Sequence, residues 1–306
     1  MNNFWYNVRS GFIRLFQKLP LNFHYAVGRV FEWVAKNIIK YRRDVIVTNL
    51  ARSFPDKKYN EIEAIKDQTY RHMGEVFAEA MWFGGCRNNI SRLKKYKMID
   101  VPREGVEEVR EAYRNSPGVM LMNSHLGNWE LTASIFDYID SLNEEQVVKL
   151  KSITYVVYKR LQNKFWNRFI GNNRLANLRP DFPGYVETDD VLRLALRNKN
   201  EKSIYVFLTD QYPYGNSARY EVESFMNQYT LTMAGGVALA QKLRMAVFEM
   251  CMVRKERGRY SVFFRKICDD ASKMPTDEIV NTYYTMLEER IKNDPGSYLW
   301  SHKRWK

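Results

Sequence analysis

The chain predicts an α/β fold, a mainly parallel central sheet flanked by helices with amphipathic helices at its N-terminus. Three observations carry this expectation. Short apolar runs rich in β-branched residues, Val119 to Met122, Ile153 to Tyr158 and Ile204 to Leu208, alternate with helical stretches, the pattern of buried parallel strands joined by crossover helices. Two further runs, Ala246 to Val253 and Tyr260 to Ile267, are joined through Glu256-Arg257-Gly258 and read as a closing hairpin. The first 40 residues repeat their apolar positions with the helical period instead.

Taken in order, residues 4 to 18 gather Trp5, Val8, Phe12, Leu15 and Phe16 on one side, with Arg14 and Lys18 opposite and Arg9 near the apolar edge. In residues 23 to 40 Val27, Val30, Phe31, Val34 and Ile38 share an arc and Arg29, Glu32, Lys36 and Lys40 oppose it. Helices of this kind lie in an anionic membrane surface, or else pack on the core. Tyr59 to Trp82 is a long helical region ended by Gly84 and Gly85, Glu104 to Asn115 a short helix, and Ser116-Pro117-Gly118 a turn before the first strand. A polar loop and a helical Leu131 to Ile139 follow that strand. Helices are expected over Leu161 to Ile170 and Asp189 to Arg197 around the next strands, and over Ala234 to Leu243 and Thr276 to Lys292 on either side of the hairpin. With no repeat and no linker, this is one α/β domain with a helical N-terminal extension.

Composition narrows the function. Aromatic residues at 14% argue against disorder, and 48 Lys and Arg against 35 Asp and Glu leave a net charge of +13, which favours an acidic partner. Eleven of these basic residues stand against Glu32, Asp44 and Asp56 in the first 60 positions, a net +8. Cys86, Cys251 and Cys268 are odd in number and far apart, so neither a disulfide framework nor a zinc ribbon is expected and a reducing cytosol is the simpler home. No stretch resembles a signal peptide or a spanning helix, which needs about 20 apolar residues.

Parallel sheets bind ligands beyond the carboxyl ends of their strands, and His125 stands there, at the end of the first strand. Glu130 follows five residues later. With Asn128 as N-cap of the next helix, the loop can fold the imidazole back onto that carboxylate, making an oriented general base. The alternative is a hydrogen-bonded histidine near a helix start. No G-x-S-x-G elbow, Walker A loop, G-x-G-x-x-G or H-E-x-x-H is present, and His24, His72 and His302 lack ligand spacing. No metal or cofactor is expected.

The segment Asn123-Ser124-His125-Leu126-Gly127-Asn128-Trp129-Glu130 resembles the H-x4-D/E box of the lysophospholipid acyltransferase superfamily, in the form used by the late acyltransferases of lipid A biosynthesis, the lauroyl and myristoyl transferases. Tyr41-Arg42-Arg43, Asn49-Leu50 and Ser53-Phe54-Pro55 resemble that family's opening box. Tyr158 to Asn163 with Asn173-Arg174 is similar to its second, Asp210-Gln211 to its third, and Phe225 through Thr232 to Gly235 to its fourth. The end, Pro295 to Lys306, resembles its W-x-H-x-R-W tail. Two departures stand out: Arg9, Arg14 and Lys18 interrupt the usual hydrophobic first helix, and the stretch from Tyr212-Pro213-Tyr214-Gly215-Asn216 to Gln228 has Met226 and Asn227 where a glycine often follows Phe225.

The resemblance implies a glycerolipid-acyltransferase-like fold, with residues 1–58 associating with the membrane and 59–306 forming the acyltransferase domain. A fatty acyl group would pass from acyl carrier protein, or coenzyme A, to a hydroxyl of an anionic lipid A precursor at the cytoplasmic face of the bacterial inner membrane, the protein being peripheral or monotopic. His125 would be the base and Glu130 its holder. Arg160, Arg174 or amides around Gly127 would face the oxyanion or a phosphate, while Asn128, Asp210 and Gln211 would bind acceptor or support the loop. Trp129 and Phe225 would line an acyl groove or belong to the core. A lysophospholipid or amino-acid lipid acceptor is the enzymatic alternative. A basic nucleic-acid binder is the other, explaining the charge but not the ordered boxes.

Overall fold

The computed structural model describes residues 3–87, 89–160, 162–174, 184–213 and 219–306. Expectations on Leu161 and on Tyr214 to Asn216, and on the side chains of Trp5, Val8 and Arg9, lie outside the described residues.

The chain opens with α1 (Asn3–Gln17) and α2 (Leu21–Trp33), the latter continuing through a π turn (Val34–Ile38). Then come α3 (Arg43–Ser53), the long α4 (Tyr59–Gly84), α5 (Ile90–Lys95), β1 (Ile99–Asp100), α6 (Arg103–Asn115) and β2 (Gly118–Asn123). A 3-10 segment (Trp129–Tyr138) stands where the sequence predicts an α-helix. Its Thr132 and Ser134 hydroxyls donate to the carbonyls three residues back, Trp129 and Leu131, both at 2.7 Å, which suits the tighter turn. The middle of the chain supplies α7 (Glu144–Ile153), β3 (Thr154–Tyr158), α8 (Lys164–Arg174), β4 (Tyr185–Glu187), α9 (Val191–Arg197) and β5 (Ser203–Leu208). It ends with β6 (Arg219–Phe225), β7 (Gln228–Met233), α10 (Gly235–Leu243), β8 (Ala246–Glu256), β9 (Arg259–Cys268) and α11 (Thr276–Asn293).

Seven strands form one sheet in the order β1-β9-β8-β2-β5-β3-β4. β8, β2, β5, β3 and β4 are mutually parallel, and the expected hairpin turns the chain back so that β9 is antiparallel to β8. β6 and β7 make a separate hairpin. Every residue of β2 is buried. Its alternate side chains feed two cores, Met120 and Met122 on the face covered by α3, α10 and α11, Val119 and Leu121 on the face covered by α5, α6 and the 3-10 segment. A strand buried on both faces reads as a continuous apolar run for this reason.

The parallel register pairs Asn123 of β2 with Leu208 of β5. His125 and Asp210 each lie two residues beyond that pair, so both leave the sheet at the same edge. The amide of Thr209 still bonds the Asn123 carbonyl at 3.0 Å.

The N-terminal helices are present, but the apolar arc of α2 faces outward. Val30 is 63% and Ile38 62% exposed, whereas Leu21, His24, Tyr25, Gly28 and Ala35 turn inward. Gly28 crosses Gly74 of α4 so closely that a Cβ on either would come within 2.5 or 2.6 Å of the other's carbonyl oxygen. No described helix is long and apolar enough to cross a membrane.

Candidate active site

The loop after β2 is built to hold one histidine. Asn123 turns its side-chain oxygen onto the Ser124 amide at 2.8 Å, and its carbonyl accepts the Tyr283 hydroxyl at 2.8 Å. Ser124 is buried. His125 Nδ1 lies 2.7 Å from Asp210 Oδ1, and the His125 backbone amide donates to Oδ2 at 2.9 Å. Burial alone would raise the Asp210 pKa, but the His125 ring, its two hydrogen bonds and Arg304 bring it below the ordinary carboxylate value. An ionised carboxylate only accepts, so Nδ1 carries the proton and Nε2 presents a lone pair. The Gln211 side-chain nitrogen is 3.1 Å from Nε2 and donates to it. The Trp129 ring meets the imidazole edge-on, centroids 5.0 Å apart.

Glu130 does not hold the imidazole, and here the structure corrects the sequence expectation. Arg174, at the end of α8, grips Glu130 with two bonds, Nε to Oε2 at 2.8 Å and a terminal nitrogen to Oε1 at 2.6 Å, and Trp129 Nε1 adds a third at 3.1 Å. The reason is geometric. Glu130, second in the 3-10 segment, turns toward α8, while sheet register brings Asp210 directly alongside His125. Glu130 is nonetheless charged, because the Arg174 guanidinium, its hydrogen bonds, the nearby His125 and Trp129 outweigh burial and lower its pKa.

Asn128 is the N-cap expected, its side-chain oxygen accepting the Glu130 amide at 3.1 Å. Its nitrogen donates to Glu79 Oε2 at 2.7 Å and no part of it is exposed, so it braces the loop and offers nothing to a substrate. Of the amides around Gly127, its own is already occupied. That amide is spent on the Ser297 carbonyl at 3.0 Å, while its own carbonyl accepts from His72 Nε2 at 2.9 Å. Gly127 sits at φ +68°, and a Cβ there would lie 2.2 Å from the Met252 carbonyl oxygen.

These features come with a wider similarity. A family model described as bacterial lipid A biosynthesis acyltransferase matches residues 3–306. The lipid A biosynthesis palmitoleoyltransferase of Escherichia coli (strain K12) is 23% identical over 306 residues, covering 99% of this chain and 90% of the relative. The lipid A biosynthesis acyltransferase of Shigella flexneri gives the same values. Its Haemophilus influenzae counterpart is 23% identical over 286 residues, 92% of this chain and 83% of its own. The chain belongs to the bacterial lipid A biosynthesis acyltransferase family.

Within this acyltransferase, several of the family boxes meet in space. Arg42 donates to the Ser301 carbonyl at 2.8 Å, and Asn49 donates to the carbonyls of Trp300 and His302 at 2.9 and 3.0 Å, so the opening box clamps the tail. Arg304 is buried, donating to the Leu231 carbonyl and the Tyr284 hydroxyl at 2.6 and 2.7 Å and to Thr230 Oγ1. His302 escapes a reading of spacing, although the tail box contains it. Burial pushes its pKa down to about 4 despite the nearby Asp210 charge, with His125, Arg304 and Arg42 adding to the fall. Arg160 does not join His125 among its bonded partners: its side chain is 68% exposed and paired with Glu187 at 2.8 Å. Phe225 is wholly buried against Tyr284 and Trp305, a core residue and not a groove wall. Beside the 3-10 segment a narrow apolar cavity is lined by Leu121, Ile135, Phe136, Val156, Val206 and Met250 among others. Among the described residues no group of three or more His, Cys, Asp or Glu is placed to hold a metal.

Proposed function

We propose that the protein transfers a fatty acyl chain from the thioester of acyl carrier protein, or of coenzyme A, to a hydroxyl of a lipid A precursor, with His125 as general base. The supporting observation is the carboxylate-held imidazole at the carboxyl edge of a parallel sheet, its Nε2 lone pair turned away from Asp210 and met by a displaceable donor, Gln211. The acceptor hydroxyl takes the place of Gln211. Its proton passes to Nε2 as its oxygen attacks the thioester carbon, and the C–S bond then breaks while the imidazolium returns the proton to the leaving thiolate. General base help of this kind contributes about 10²- to 10⁴-fold. Asp210 steadies the imidazolium. Glu130 and Arg174, tied to each other, shape the loop and place paired charge beside the reacting groups.

Each methylene of the acyl chain that the enzyme buries would contribute about 0.8 kcal/mol. Residues 1–58 are proposed to seat the enzyme peripherally on the cytoplasmic face of the inner membrane. Phe12, Leu15, Val30, Ile38 and Ile39 are each more than 60% exposed on this segment, which also carries most of the net positive charge, the combination that binds an anionic lipid surface.

The test is transfer of a radiolabelled acyl group by the purified protein from each donor in turn to a lipid A precursor, with His125→Ala as control. Transfer by the wild type and its loss in the folded variant are expected. Absence of transfer from both donors across a panel of lipid hydroxyls, or full activity of His125→Ala, overturns the reading.

A further inference from the structure

One buried carboxylate joins the outward-facing helix α2 to the loop that carries His125. Glu79, on α4, is wholly buried and accepts three hydrogen bonds from neutral groups: the Tyr25 hydroxyl of α2 on Oε1 at 2.8 Å, and on Oε2 the Asn128 amide and the Tyr260 hydroxyl, both at 2.7 Å. It forms no ion pair with Lys or Arg within 4 Å among the described residues. Burial raises its pKa although the three hydrogen bonds oppose the rise, and an acidic group buried without a cation is costly whichever way it is kept, so a role beyond packing is indicated. The route onward is continuous, because Asn128 caps the Glu130 amide and His125 lies three residues earlier on the same loop.

Tyr25 is itself held in place. The Arg257 guanidinium lies 4.8 Å from its ring centroid, and a Cβ on Gly258 would fall 2.5 Å from its hydroxyl oxygen. The Gly28 and Gly74 crossing allows no slack between α2 and α4. A shift of α2 must therefore reach Glu79 through the Tyr25 hydroxyl. The exposed Phe23, Val30 and Trp33 of α2 face away from α4.

We propose that Glu79 is a positioning residue that transmits the seating of α2 on an anionic lipid surface to the His125–Glu130 loop, through Tyr25 on one side and Asn128 on the other. The inference rests on the membrane and acyltransferase readings above, and its test is chosen to fail separately from them.

Hydrogen exchange of the loop amides, read by mass spectrometry on the full chain, is compared with and without vesicles of phosphatidylglycerol and phosphatidylethanolamine, while co-sedimentation monitors binding. In the wild type, vesicles are expected to slow exchange of residues 126–130 by about fivefold, the factor that one net hydrogen bond contributes. Tyr25→Phe, which keeps the ring, should bind vesicles equally yet lose that protection, with kcat lowered about tenfold and KM unchanged, since small misplacements at a reacting group are costly. Without vesicles, Glu79→Leu should speed loop exchange. Glu79→Gln should restore it, because its oxygen still accepts from Asn128 and its nitrogen donates to the Tyr25 oxygen. Equal vesicle protection in Tyr25→Phe and wild type overturns the relay, as does a wild type that binds vesicles without any change in the loop. Failure of the wild type to bind vesicles overturns the membrane reading and the relay together. Loop protection without acyl transfer overturns the acyltransferase reading alone.

Discussion

Replacing Asp210 by asparagine separates the two carboxylates near His125 more sharply than any other change. Asp210 Oδ2 accepts the His125 backbone amide at 2.9 Å and Oδ1 faces Nδ1 at 2.7 Å. The backbone group can only donate, so the single oxygen of the substituted carboxamide must stay with it. The carboxamide nitrogen then faces Nδ1, which is forced to accept, and the ring proton moves to Nε2. The lone pair that would take the acceptor proton is gone, while shape and volume barely change. The expected loss in kcat is about 10²- to 10⁴-fold, the span of general base help and of trapping a catalytic histidine in the wrong tautomer, with KM nearly unchanged. Glu130→Gln, which keeps one hydrogen bond to Arg174, should lose less. Initial rates of acyl transfer at several acceptor concentrations measure this, with circular dichroism melts confirming the fold. Activity of Asp210→Asn within tenfold of wild type, beside a larger loss in Glu130→Gln, would refute the assignment of Asp210 as the holder of the base.

Gly127→Ala should destabilise the protein by more than about 2 kcal/mol in urea titrations, since a left-handed φ already costs an L residue about 1–2 kcal/mol and its Cβ would meet the Met252 carbonyl; Gly171→Ala, in open space within α8, is the control and should instead stabilise by about 0.5–1 kcal/mol. His302 is neutral when folded, its pKa lowered to about 4 from 6.5. The unfolded chain therefore binds the extra proton, and stability is full above about pH 6.5 and falls as pH drops toward 4, by up to about 3 kcal/mol at 1.36 kcal/mol per unit; a pH series of urea titrations should lose that slope in His302→Gln. Val30→Asp with Ile38→Asp should weaken vesicle binding at least about tenfold, each side chain offering about 1.5–3 kcal/mol when buried, and unchanged co-sedimentation would place the lipid contact elsewhere.

Legibility in the sequence follows the distance over which each feature is decided. β2, β3, β5 and the β8–β9 hairpin announce themselves because their apolar runs are local and bounded by turns. α3 is hidden because Val45, Ile46, Val47 and Thr48 form a β-branched run of low helix propensity; its helix is fixed by burying Ile46, Asn49, Leu50 and Ser53 along one face. The β6–β7 hairpin turns at Met226 and Asn227, both at positive φ, without the glycine that signals such a turn. The apolar arc of α2 is legible, but its inward face is not, since Tyr25 and Gly28 gain their partners from α4. The same limit hides the holder of His125. Spacing along one loop suggests Glu130, five residues away, whereas Asp210 arrives 85 positions later by strand register, and Arg174 claims Glu130 from a third element.

The most direct measurement is the mass of lipid A extracted from cells with the gene, without it, and without it but supplied with either the wild type or His125→Ala. Loss of the gene should lower the mass by one fatty acyl chain, and the wild type but not His125→Ala, expressed to the same level, should restore it. Lipid A of unchanged mass in cells lacking the gene, or full restoration by His125→Ala, would contradict acyl transfer to lipid A with His125 as the base.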